Sequence, residues 1–149
     1  MSAPVDGAPR SARVGECFER SVTLDPAGVS AFARSVGDSN PLHHDAAHAA
    51  ASPFGTTIAC GPQLSSLLMA VTADVFAARG LALGLDFRMQ FRRAAPSSAA
   101  LLLHWTVTEV RWQPSLGGEV VRLSGRITDA ANGTQYVSAE GLVLVKQRW

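Results

Sequence analysis

The chain contains no apolar stretch long enough to cross a bilayer, and its first residues carry no apolar run of the kind a secretory signal needs. Only two cysteines occur, Cys17 and Cys60, far apart and without a CxxC pair. That spacing argues against a zinc ribbon, a thioredoxin-type redox pair and a disulfide framework, and fits a reducing cytoplasm. No excess of one charge is available for nucleic acid, since 13 basic residues face 12 acidic ones. There is no G-x-G-x-x-G dinucleotide fingerprint and no strong metal-ligand cluster. What remains is a chain of 149 residues, 47% hydrophobic and 17% charged, enough for one domain with one core. The low charge suggests that a partner subunit covers some apolar surface.

Residues 1–12 are small, polar and proline-containing and read as a mobile tail, leaving 13–149 as the domain. A first strand fits residues 14–23. Asp25 and Pro26 then form a helix start, Val29, Phe32, Ala33 and Val36 give it a buried stripe, and Gly37 stops it. Asp45 can cap a short alanine-rich helix that ends near Ser52-Pro53. The longest helix candidate spans residues 62–79, with Leu64, Leu67, Leu68, Val71 and Val75 on one face.

From Leu81 the period becomes 2. Leu81, Leu83, Leu85, Phe87, Met89 and Phe91 alternate with Ala82, Gly84, Asp86, Arg88 and Gln90. Further alternating segments follow, separated by Gly117-Gly118 and by Asn132-Gly133, a two-residue hairpin signal. The last strand, about 134–146, is apolar on both faces near its end and belongs in the middle of a sheet. The layout is α+β, with one long helix covering one face of a curved antiparallel sheet.

The segment Gly37-Asp38-Ser39-Asn40-Pro41-Leu42-His43-His44-Asp45 concentrates carboxylates, imidazoles and an amide around a proline. Asp38 with His43 suits general acid–base chemistry, because a carboxylate and an imidazole can hold one water between them. The competing reading makes Asp38 a turn cap and His43 a satisfied polar side chain. His44, Asp45 and His48 invite a metal, but a solvated helix face accounts for them and no metal is expected. Gly61, before Pro62, begins the long helix, where free N–H groups and the positive dipole end can meet a developing oxyanion. An ordinary helix start explains the same residues. Cys60 reads as a buried small side chain. Arg88, Arg92 and Arg93 could meet coenzyme A phosphates, or the acidic surface of an acyl carrier protein. They could equally form a solvated strand face.

The stretch from Phe32 to Asp45, with its D-x-N-P-L-H core, resembles the motif of MaoC-like dehydratases and (R)-specific enoyl-CoA hydratases. The segment Phe54–Gly61 is similar to that family's second signature, and the likeness covers roughly residues 14–145. The resemblance implies a hotdog fold and a homodimer or dimer-based oligomer. It implies reversible addition of water to a trans-2-enoyl thioester of coenzyme A or of an acyl carrier protein, giving the (R)-3-hydroxyacyl thioester without a cofactor. By that likeness Asp38 and His43 are catalytic, Asn40 orients them, the Gly61 N–H bonds the thioester carbonyl, and Ser66 is a further polar site residue. Cys60, Pro62 and the turn Arg92–Ser98 depart from the family's pattern. A hotdog thioesterase and a non-catalytic acyl-thioester-binding module are the alternative readings.

Overall fold

The computed structural model describes residues 11–147. Of the expected tail, residues 1–10 lie outside the described residues. Ser11 and Ala12 are not tail: both are buried, and the Ser11 N–H and hydroxyl both donate to the buried Glu119 carboxylate at 3.0 and 2.5 Å.

Five strands form one antiparallel sheet in the order β1-β3-β4-β5-β2: β1 Cys17–Thr23, β2 Leu81–Phe91, β3 Ala100–Gln113, β4 Gly118–Asp129 and β5 Gln135–Lys146. The helices are α1 Pro26–Ser35, α2 Ala46–Ala50 and α3 Gly61–Ala77. β1 is three residues shorter at its start than the sequence pattern suggests, because Gly15 turns the chain at φ 89°. β5 is central, as its two apolar faces indicate, and Val143, Leu144 and Val145 are all buried. No helix among the described residues is long and apolar enough to cross a membrane.

Helix α3 lies against one sheet face and buries Leu64, Leu68, Val71 and Phe76. It meets Leu101, Leu103, Trp105 and Val107 of β3, Val121, Leu123 and Ile127 of β4, and Val137 and Val143 of β5. Trp105 couples the two layers. Its indole Nε1–H donates to the Leu68 carbonyl of α3 at 2.8 Å, and its ring fills the space over Gly125. A Cβ at Gly125 would lie 2.4 Å from Trp105 Cε3, and one at Gly141 2.8 Å from Phe87 Cε1. These positions are glycine because the Trp105 indole at the first and the Phe87 ring at the second occupy the volume that a side chain would take.

Two expectations need correction. The period of 2 in β2 does not run unbroken. The pairing with β5 slips between Gly84 and Asp86, so Leu85 is an extra residue and the phase flips. Ala82, Phe87 and Met89 therefore pack on the core, while Leu83 and Leu85 are each 45% exposed. The cause is visible at Gly84: the Phe87 ring occupies the place of its missing side chain, 2.8 Å from where a Cβ would be. The Asn132-Gly133 hairpin also has a longer loop than two residues, since the Asp129 N–H donates to Thr134 O. The Asp129 carboxylate accepts from the N–H groups of Ala131 and Asn132 and from the Tyr136 hydroxyl. Those hydrogen bonds hold its pKa below the ordinary value. Burial first, and the bond to Asp129 second, push the Tyr136 hydroxyl up to about 12.

The two kinds of glycine predict different losses. Gly133→Ala strains only the backbone (φ 74°, with nothing within 4 Å of the new methyl), and should cost about 1 kcal/mol. Gly125→Ala drives a methyl into Trp105 and should cost about 1–3 kcal/mol, with a changed indole fluorescence that Gly133→Ala leaves alone. Urea unfolding followed by fluorescence separates them; equal losses with an unaltered indole would contradict this account of the packing.

Candidate active site

Asp38 owes its position to the end of α1. Gly37 adopts φ 79°, its N–H donates to Arg34 O, and the Asp38 N–H reaches back to Ala33 O at 2.8 Å. This is a Schellman cap, which turns the chain sharply and presents the residue after the glycine. α1 itself is fixed at its start by the Asp25 carboxylate on the Gly28 N–H, and by the buried Val29 and Ala33.

Beyond Asp38 the chain closes on itself. The Asn40 N–H donates to Asp38 Oδ1 at 3.0 Å, and Asn40 Oδ1 accepts from the Leu42 N–H at 3.1 Å. Pro41–His43 form one turn of 3₁₀ helix, which the proline's fixed φ favours. The turn carries His43 into the interior, where the residue is 7% exposed.

His43 is held at Nδ1 and faces Asp38 with Nε2. Nδ1 lies 2.8 Å from the Ile58 carbonyl, which can only accept, so Nδ1 carries the hydrogen. Nε2 then points its other valence at Asp38 Oδ2, 3.3 Å away. A lone pair and a carboxylate face each other there, and a shared proton or a bridging donor satisfies both. The sequence-predicted pair is thus brought together. Asn40 supports it by its backbone N–H and by capping the turn, not by placing its amide beside His43.

The segment containing Ile58 leads directly into α3. The Ile58 N–H donates to Leu42 O, and the chain beyond is pinned by the Ala59 N–H on Ala95 O and the Ser97 N–H on Thr57 O. In the first turn of α3, Pro62 has no N–H, and Gln63 and Leu64 both donate to Cys60 O. The Gly61 N–H therefore has no acceptor among the described residues, and it sits at the positive end of a 17-residue helix. The Phe91 ring closes over Gly61, where a Cβ would lie 3.1 Å from Phe91 Cζ. Cys60 is fully buried, and its side chain makes no cap hydrogen bond.

Other expected site residues are not joined to the pair. Ser66 is exposed on the side of α3 away from Leu64 and Leu68 and has no hydrogen bond to Asp38 or His43. Arg88 points to the outer face of the sheet, away from α3, and Arg92 bonds there to Ser138 and Gln90. Arg93 is exposed, and only its backbone N–H is engaged, on Tyr136 O.

One residue that the sequence placed on a solvated face is structural. The half-buried His44 bridges Ser30 Oγ of α1 at 2.7 Å and the Asp38 carbonyl at 2.7 Å. The carbonyl fixes the hydrogen on Nε2, so Nδ1 accepts from the Ser30 hydroxyl. Its neighbour in sequence, His43, was the only hint. Nothing in the spacing marks Ser30, and Ile58 acts through a main-chain carbonyl that any residue possesses.

Comparison with known proteins gives a consistent result. The family model described as MaoC like domain matches residues 11–94. The 3-hydroxyacyl-thioester dehydratase Z of Mycobacterium tuberculosis is 30% identical over 139 residues, covering 91% of this chain and 82% of its own length. Among solved structures, the R-hydratase PhaJ1 from Pseudomonas aeruginosa superposes with TM-score 0.80 and 29% identity, over 91% of this chain and 83% of that one. The (R)-hydratase from A. caviae involved in PHA biosynthesis gives TM-score 0.81 and 26% identity, over 92% and 99%. The sheet wrapped on a long helix is the hotdog arrangement of these hydratases.

The strap is testable without any substrate. His44→Ala leaves the Ser30 hydroxyl and the Asp38 carbonyl without their partner and should lower stability by about 1–3 kcal/mol in chemical denaturation. Amide exchange at Asn40 and Leu42 should accelerate with it. Unchanged exchange there would remove His44 from the support of the pair.

Proposed function

The chain belongs to the MaoC-like dehydratase family, and from that membership we propose that it adds water reversibly to a trans-2-enoyl thioester, giving the (R)-3-hydroxyacyl thioester. It is a hydro-lyase. The observation that carries the finer reading is the 3.3 Å approach of His43 Nε2 to Asp38 Oδ2, with His43 Nδ1 committed to Ile58 O.

In this reading Asp38 and His43 hold one water. Its oxygen forms the new bond to C3 of the enoyl group as one O–H bond breaks, and the proton is taken by the pair. The double-bond electrons move towards the thioester carbonyl, whose oxygen gains charge and accepts from the Gly61 N–H. The pair then returns a proton to C2, so atoms and charge balance without a redox or metal cofactor. Dehydration runs the same path backwards. Asn40 keeps the carboxylate turned to the imidazole. Ser66 and the three arginines take no part in these steps. Coenzyme A or an acyl carrier protein can supply the thioester handle.

Purified protein should consume crotonyl-CoA. Asp38→Asn and His43→Ala should each lower kcat by ~100-fold or more while the fold, followed by circular dichroism, is retained. Release of free thiol without loss of the double bond would instead make the protein a thioesterase. Full hydration by both variants would end the proposal.

We also propose that the protein works as a homodimer. Met69, Ala73 and Ala77 of α3 and Leu83 of the edge strand β2 line an open apolar groove of about 320 Å³. A second copy placed against this edge would bury the exposed Leu83 and Leu85. Sedimentation should report a dimer, and Leu83→Arg should shift it towards monomer; a monomeric native protein would refute the assembly.

A further inference from the structure

The outer face of the sheet carries a feature that the reaction leaves unused. Two cross-strand rows lie side by side there. One runs Arg88, Glu140, Ser124, Thr106, and the next runs Gln90, Ser138, Arg126, His104. Arg126 stands on the middle strand, Arg88 and Arg92 along the edge, and the short Ser124 and Ser138 beside them, so the face dips into a depression of about 360 Å³. Arg92, whose guanidinium donates to Ser138 and Gln90, closes one end.

The charge of this basin is unspent. Arg88 and Arg126 make no hydrogen bond or ion pair with another described residue, and both partners of Arg92 are neutral. Three guanidiniums and one carboxylate, Glu140, line it, a balance of +2. Arg122, also on this face, is different: its guanidinium is already paired with Glu109 at 3.3 Å. The floor is also held firm. Thr106 Oγ1 is 3.0 Å from His104 Nε2, while His104 Nδ1 is fixed by Glu19 at 2.8 Å.

We propose that this basin is a binding site for a phosphate-bearing small ligand. Guanidinium forks match phosphate oxygens two at a time, and the Ser124 hydroxyl supplies a neutral donor that such oxygens also accept. The site is separate from Asp38 and His43, because it opens on the opposite side of the sheet. Two sources share this chemistry: the nucleotide end of a coenzyme A thioester, and an independent phosphorylated metabolite. The first has a route, since the step from Phe91, against Gly61, to Arg92 passes from the inner face to the outer one at the end of β2 remote from Leu83 and Leu85.

Calorimetric titration with adenosine 3′,5′-bisphosphate and with inorganic pyrophosphate, using the full chain, tests the site directly. At least one probe should bind saturably, and Arg88→Gln/Arg126→Gln should weaken it roughly tenfold or more with the melting temperature unchanged. Both residues are exposed, so the variant should fold; Arg126→Lys, which keeps the charge but loses the planar fork, should fall between the native protein and the double variant. If the ligand is the nucleotide end of the substrate, the double variant raises KM for crotonyl-CoA and leaves kcat alone. If it is an independent metabolite, KM stays fixed while probe binding is still lost. Absence of saturable binding of both probes to the native protein, or equal affinity in the double variant, overturns the proposal. The titration stands even if no hydration is found.

Discussion

The hydrogen bond from His43 Nδ1 to the Ile58 carbonyl is the contact on which the site depends. It fixes which nitrogen bears the hydrogen, turns the other towards Asp38, and does so from a main chain that cannot change its chemistry. The Ile58 N–H holds Leu42 in return, so one residue grips the turn at two points. Three residues further on the chain enters α3 at Gly61. A single pinned segment therefore relates Asp38 and His43 to the Gly61 amide at the helix start. Preorganisation of this kind is what makes a charge-stabilising donor effective, because no dipole has to be turned during reaction.

The sheet's two faces divide its tasks. The inner face is apolar and closely filled, with Trp105 laid over Gly125 and bonded to the helix. The outer face is polar, with Arg126 on the middle strand, Arg88 and Arg92 along the edge, and Ser124 and Ser138 beside them. In β2 a strictly alternating strand could not have served both. The extra residue at Leu85 restores Phe87 and Met89 to the core after Ala82, keeps Arg88 outside, and leaves two leucines on an exposed edge. One irregularity thus fits the strand to core, outer face and edge together.

Much of this was legible in the sequence where a local rule decides the structure. Asp25-Pro26 and Gly37 bound α1 because a cap and a left-handed glycine are local requirements. Asp38 and His43 were legible because both come from one short segment stiffened by Pro41. What escaped was non-local. The bulge at Leu85 exists because Phe87 fills the space over Gly84, and strand periodicity carries no trace of that. His44 is tied to Ser30, fourteen positions away on another element. The arginines were correctly seen as a basic group, yet which side of the sheet they occupy, and that Arg126 joins Arg88 and Arg92, follows only from strand register.

The region from Asp25 to Gly61 has a property of its own. Its caps, the Asn40 turn, the His44 strap and the Ile58 anchor all begin and end within that span. From outside the span it is held by the chain between β2 and β3, through Ala95 and Ser97, and by Phe91 over Gly61. Such a cassette can be inherited as a unit while the strands around it drift, exchange their loops or acquire new surfaces. The frame can then vary while the arrangement of Asp38 and His43 is left undisturbed.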